Sequence, residues 1–221
     1  MRGEWITLTT PEAPVQAWLS RSDAPPKGAV VVIQEIFGVN AHIRAVTDRF
    51  AQAGFTAMAP ALFDLVRPGT ELHYDEAGVI RGRDYAAELG FERALKVVGA
   101  AARWLRESGH RVGAVGFCWG GTVAMLANTR LRMPSVTYYG GRSVPFLGES
   151  ALAPMLFHFG EHDRLIPPED VQKHRLHHPE ATIHVYPAGH GFNCDERADY
   201  DADSAALAWT RTLDFLTEHL R

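Results

Sequence analysis

Arg111-Val112-Gly113-Ala114-Val115, then Gly116-Phe117-Cys118-Trp119-Gly120-Gly121, then Thr122-Val123-Ala124-Met125-Leu126-Ala127 is the stretch on which the fold turns. The first run reads as a short buried strand and Gly121 to Ala127 as a helix, so Cys118 falls where strand turns into helix. That is the setting of a nucleophile elbow, here with cysteine in the place usually held by serine. Glycines two positions before and after Cys118 leave room for a tight turn that points the sulfur into an open cleft. The bland reading of Cys118 as a small buried apolar residue fits the same string taken alone.

Its partners decide between the two readings. Asp163 follows the strand-like Pro154-Met155-Leu156-Phe157-His158-Phe159, and His190 follows Thr182-Ile183-His184-Val185-Tyr186. The order nucleophile, acid, histidine is that of α/β-hydrolases. A thiol with an ordinary pKa near ~8.5 is mostly protonated at neutral pH and needs a base or an electropositive setting. His190 can supply the base, Asp163 can fix its tautomer, and the helix after the elbow directs its N-terminal dipole at the sulfur.

Outside these motifs the chain alternates strands and helices. Trp5 to Thr9 and Val15 to Leu19 read as two opening strands, and Ala29-Val30-Val31-Val32-Ile33 as a strand buried on both faces. Ile43, Val46 and Phe50 share one helical face, closed by Gly54 before a strand at Phe55 to Pro60. Tyr85 to Glu107 reads as a long helix and Ser204 to His219 as a terminal one. This pattern predicts an α/β fold with a mostly parallel central sheet covered by helices on both faces. In such a sheet the ligand crevice lies at the carboxyl ends of the strands, where Cys118, Asp163 and His190 all fall.

Length and composition fit this expectation. The 221 residues are 46% hydrophobic, enough for a full core, and no linker, repeat or low-complexity tract divides them, so one domain over 1–221 is expected. A net charge of -4 gives no reason to expect nucleic acid or an anionic membrane as partner. The N-terminal Met1 to Thr10 lacks the apolar stretch of a signal peptide and no later segment approaches a membrane span, which points to a soluble, cytoplasmic protein; a monomer or small homo-oligomer is expected. Two cysteines are too few for a disulfide framework. A Cys118–Cys194 disulfide stays open on the residues alone, although no C-x-x-C accompanies it.

Gln34-Glu35-Ile36-Phe37-Gly38-Val39-Asn40, the elbow, Gly160-Glu161-His162-Asp163 and Gly189-His190-Gly191-Phe192 together resemble the dienelactone hydrolase family, the carboxymethylenebutenolidases of the α/β-hydrolase fold. The resemblance runs over nearly the whole chain and implies a catalytic triad of Cys118, Asp163 and His190, with no cofactor. It also implies a proton-accepting role for Glu35, in contact with the cysteine at rest, and an oxyanion hole from the backbone N–H groups of Ile36 and Trp119. The implied substrate is a small enol lactone or ester, met by Arg81, Tyr85, Tyr138 and Phe37. Arg81 fits a solvated charge equally well. Two family contacts are replaced: Gly191 stands where a serine is usual and Cys194 where an arginine is usual. A broader carboxylesterase or thioesterase, or a lactone-binding protein without turnover, uses the same residues.

Of the 11 histidines, His158 and His162 have the spacing of a helical metal pair but fall on a strand and turn, so no metal is expected. His174, His177 and His178 lie on a polar helix and are expected to be solvated. Trp18, Trp104 and Trp209 are expected in the core.

Overall fold

The computed structural model describes residues 3–221, so Met1 and Arg2 of the N-terminal reading lie outside the described residues. The strands are β1 (Glu4–Leu8), β2 (Val15–Ser20), β3 (Ala29–Ile33), β4 (Thr56–Pro60), β5 (Val112–Phe117), β6 (Ser135–Tyr138), β7 (Met155–Gly160) and β8 (Thr182–Tyr186). They form one eight-stranded sheet in the order β1-β2-β4-β3-β5-β6-β7-β8. The two opening strands pair antiparallel, as does β2 with β4, and every pairing from β4 to β8 is parallel. The predicted α/β class, with a mostly parallel sheet, is what the chain adopts.

Alternation along the central strands divides the core in two. Val30 and Val32 of β3 and Val115 and Phe117 of β5 pack with α1 (Ala41–Gln52) and α5 (Ala202–Leu220). Val31 and Ile33, with Val112 and Ala114, face α2 (Glu76–Glu107) and α3 (Trp119–Leu131) on the other side. α1 and α5 begin where the sequence places a cap: Asn40 accepts from the Ile43 N–H, and Asp201 from the Ser204 N–H. Trp18 is buried, and Trp104 and Trp209 pack half-buried against the two clusters. Among the described residues no helix is long and apolar enough to cross a membrane.

Two expectations are corrected. The long helix begins at Glu76, capped by Asp75, and not near Tyr85; it breaks at Gly90, whose φ of 68° and ψ of 167° are not helical. The added segment is poor in apolar residues and carries two glycines. It is seated because Gly82 brings the helix onto the backbone of Ile36, where a Cβ would lie 2.1 Å from the Ile36 carbonyl oxygen. The histidines of α4 (Pro168–His177) and its end also differ, since His174 and His178 are buried. His174 Nε2 lies 2.7 Å from Ser143 Oγ, and burial holds its pKa below the ordinary value.

Candidate active site

The turn after β5 is tight in the way its glycines require. A Cβ on Gly116 would sit 1.9 Å from the Gly120 carbonyl oxygen, and one on Gly120 2.3 Å from that of Gln34. Both contacts are to backbone, which cannot move aside. Cys118 between them takes φ 53° and ψ -120°, a strained conformation for a residue with a side chain, costing on the order of 1–3 kcal/mol. Such strain persists where surrounding structure imposes it, and here it aims the sulfur across the carboxyl end of the sheet.

From the loop after β8, His190 meets that sulfur with Nε2 3.1 Å from Cys118 Sγ. Its other ring nitrogen, Nδ1, lies 2.7 Å from Oδ2 of Asp163, from the loop after β7. Asp163 and His190 are both buried. Burial opposes a charge on His190, but the adjoining Cys118 and the Asp163 carboxylate outweigh it and raise its pKa to about 10. Cys118 itself is partly exposed. The three residues therefore form a continuous chain from carboxylate to imidazole to an accessible thiol.

This chain opens on a cavity of about 240 Å³. Ile36, Phe37, Trp119 and Val79 are among its walls, and Trp119 is held by Phe63 and Phe91 at ring-centroid distances of 5.9 and 5.8 Å. Trp119 is the first residue of α3, so its N–H has no acceptor within the helix, and the Ile36 N–H has none among the described residues. Two backbone donors are thus available beside Cys118 on the cavity.

Glu35 follows β3, and its side chain has no exposure. Its two oxygens are occupied: Oε1 accepts from Arg197 Nη1 at 3.0 Å and Oε2 from the Tyr74 hydroxyl at 2.9 Å. The resting contact between Glu35 and the cysteine implied by the resemblance is not present among the described residues; the sulfur is bonded to His190. Arg197 keeps its charge in spite of burial because Glu35 stands beside it, raising its pKa. Neither Arg197 nor Tyr74 was singled out in the sequence. Arg197 lies seven residues past His190 in a polar loop, where only its three-residue offset from Cys194, the place of the missing family arginine, gave a signal.

The residues expected to meet substrate are not all on the cavity. Phe37 lines it. Arg81 does not: it is exposed, with Nε turned 3.3 Å from the Ala77 carbonyl one turn back along its own helix. Arg83, two positions on, is the residue of that segment on the cavity wall. Tyr85 packs edge-on to Phe63, 5.9 Å away. Tyr138 is fully buried beneath the elbow, stacked on Phe117 with its hydroxyl 2.7 Å from Thr212 Oγ1, so it supports the core and does not line the cavity.

Both cysteines are free thiols. Cys194 is buried, and burial with the nearby Glu35 charge pushes its pKa up to about 12, which keeps it protonated and inert. With His42 and Asp195 it offers donor atoms all within 4.8 Å of one another, a set of a kind that soft divalent ions accept. None of the three lines the cavity. His158 is buried between Tyr186 and Thr212, and His162 is exposed on the turn beyond, so this pair does not converge.

Comparison with known proteins agrees with this architecture. The dienelactone hydrolase family profile matches residues 15–220. The carboxymethylenebutenolidase of Pseudomonas putida is 34% identical over 209 residues, covering 86% of each chain. A Synechocystis protein assigned the same name is 32% identical over 215 residues, covering 87% of this chain and 86% of its own. A solved structure from Klebsiella pneumoniae, assigned as a dienelactone hydrolase, superposes with a TM-score of 0.88 at 28% identity over 98% of both chains. The chain is a hydrolase of esters or lactones and belongs to the dienelactone hydrolase family.

Proposed function

We propose that this hydrolase opens a small enol lactone or ester through Cys118, His190 and Asp163, by way of a thioester on Cys118. The observation that carries the reading is the unbroken run from Asp163 Oδ2 through His190 to Cys118 Sγ, at 2.7 and 3.1 Å, at the wall of the cavity. With His190 held as imidazolium and the thiol proton passed to Glu35, the thiolate attacks the substrate carbonyl. The developing oxyanion is received by the N–H groups of Ile36 and Trp119, each worth about 3 kcal/mol in the transition state. Collapse of the tetrahedral adduct breaks the C–O bond while His190 gives its proton to the departing oxygen. In a lactone that oxygen stays tethered to the acyl group. Water then gives a proton to His190, attacks the thioester and releases the acid and the thiolate, which takes its proton back from Glu35.

Glu35 and Arg197 tie the site to substrate charge. A substrate carboxylate that engages the Arg197 guanidinium competes for one of the two groups holding Glu35. The freed carboxylate is then available to take the thiol proton, the role the family resemblance implies. Dienelactones carry such a carboxylate, and an arginine fork suits it.

Turnover of cis- and trans-dienelactone, an uncharged enol lactone and a simple aryl ester, measured side by side, tests the reading. Arg197→Ala is expected to raise KM for the carboxylate-bearing lactone by about tenfold to a hundredfold, the range of a charge-assisted bond. Arg81→Ala is expected to change both substrates by less than about twofold, as for a solvated charge. If Arg81→Ala has the larger effect on the charged lactone, the assignment of the anion contact to Arg197 is wrong.

A further inference from the structure

The cavity carries more positive charge than a single carboxylate needs. Arg83, Arg142 and Arg197 line it, and no aspartate or glutamate does, although the chain as a whole has a net charge of -4. Arg197 is already matched by Glu35. Arg83 and Arg142 have no carboxylate within 4.0 Å among the described residues.

The sheet order puts these two free cations on opposite sides of the nucleophile. Cys118 follows β5, which lies between β3 and β6. Arg83 belongs to α2, which is seated on the Ile36 loop after β3, whereas Arg142 follows β6. Arg142 is moreover carried on a fixed stem. Its backbone N–H donates to Thr122 Oγ1 at 3.2 Å, and Thr122 lies one turn beyond Cys118 on α3. The next residue, Ser143, is buried and tied to the Gly140 carbonyl at 3.0 Å and to His174 at 2.7 Å. The guanidinium is exposed and free to turn, but its root is locked one helical turn from the elbow.

We propose that the substrate carries two carboxylates, one on each side of the scissile carbonyl, and that Arg142 receives the one on the β6 side. This deepens the reading above and rests on Cys118 as the reacting centre. A cation that stands unpaired in water gains little from a mobile exposed partner, but an anion whose position is fixed by the rest of the substrate in the cavity makes a charge-assisted bond at little further cost in ordering. Two fixed positive sites separated by the nucleophile also set direction, because a molecule with one charge at each end can place its carbonyl on Cys118 only when both ends are held. Neutral esters make neither contact and gain nothing from the two guanidiniums.

The test uses binding, so that it reads charge preference separately from turnover. In a Cys118→Ala background, calorimetric affinities are measured for four aryl esters: 4-nitrophenyl acetate, the monoester of glutaric acid, an acetate with a carboxylated nitrophenol, and the glutarate of that phenol. The doubly charged ester is expected to bind best. Adding Arg142→Ala is expected to weaken it by about tenfold while the neutral ester changes by less than about twofold. Equal weakening of all four esters, or no loss for the doubly charged one, overturns the proposal. A loss that disappears in Arg142→Glu, which keeps a polar side chain but reverses the charge, overturns it as well. Retention of most esterase activity by the Cys118→Ala protein refutes the cysteine mechanism instead, and leaves the binding result standing by itself.

Discussion

Cys118→Ala is expected to abolish hydrolysis of every ester and lactone the protein accepts, by a factor on the order of 10⁴ or more, with the fold retained. Alanine removes only the sulfur, and the strained φ of 53° is imposed by Gly116 and Gly120 on either side and not by the side chain. Cys118→Ser is expected to be nearly as impaired. An imidazolium raised to about 10 favours a thiolate beside it, but a serine hydroxyl is far harder to ionise in the same place. Initial rates on purified protein, with circular dichroism to check folding, decide the point. Retention of most activity by the alanine variant assigns the nucleophile elsewhere.

Glu35→Gln is expected to have the second largest effect and to show it in two ways. The substitution preserves shape and the bond to the Tyr74 hydroxyl, but it removes the charge that balances Arg197 in a site where Glu35 has no exposure. Breaking a buried pair from one side costs about 3–5 kcal/mol, and partial exposure of Arg197 brings the expectation to the lower end. Urea denaturation is expected to show that loss, while turnover of carboxylate-bearing lactone falls further than turnover of a neutral ester. Unchanged stability together with unchanged selectivity marks Glu35 as neither counterion nor proton acceptor.

The parts of the site legible in the sequence are those fixed by local backbone demands. A strand, two glycines flanking a cysteine and a helix leave little choice of conformation, and Asp163 and His190 each follow a recognisable apolar run. The same holds for β3, whose Ala29-Val30-Val31-Val32-Ile33 run is buried on both faces. What was not legible depends on contacts between distant loops. Arg197 and Tyr74 are ordinary polar residues until the fold brings both onto Glu35. Arg81 and Arg83 differ by two positions on one helix, slightly more than half a turn, and periodicity could not say which faces the cavity because that segment has so few apolar residues to set its phase. Tyr138 was expected in the pocket, but strand alternation turns it toward α5, where Thr212 takes its hydroxyl. His174 looked solvated on a polar helix, but its ring packs edge-on against Phe157 and Phe159, and its nitrogens are met by Ser143 Oγ and the Asp170 carbonyl.

The most direct test of the cysteine mechanism is capture of the acyl-enzyme. An aryl ester mixed with the protein, quenched in acid within the first turnovers and examined by intact-protein and peptide mass spectrometry, is expected to leave one acyl group on the peptide containing Cys118. Hydroxylamine is expected to remove it, as it removes thioesters. An acyl group found on a serine or on Cys194, with none on Cys118, would contradict the mechanism.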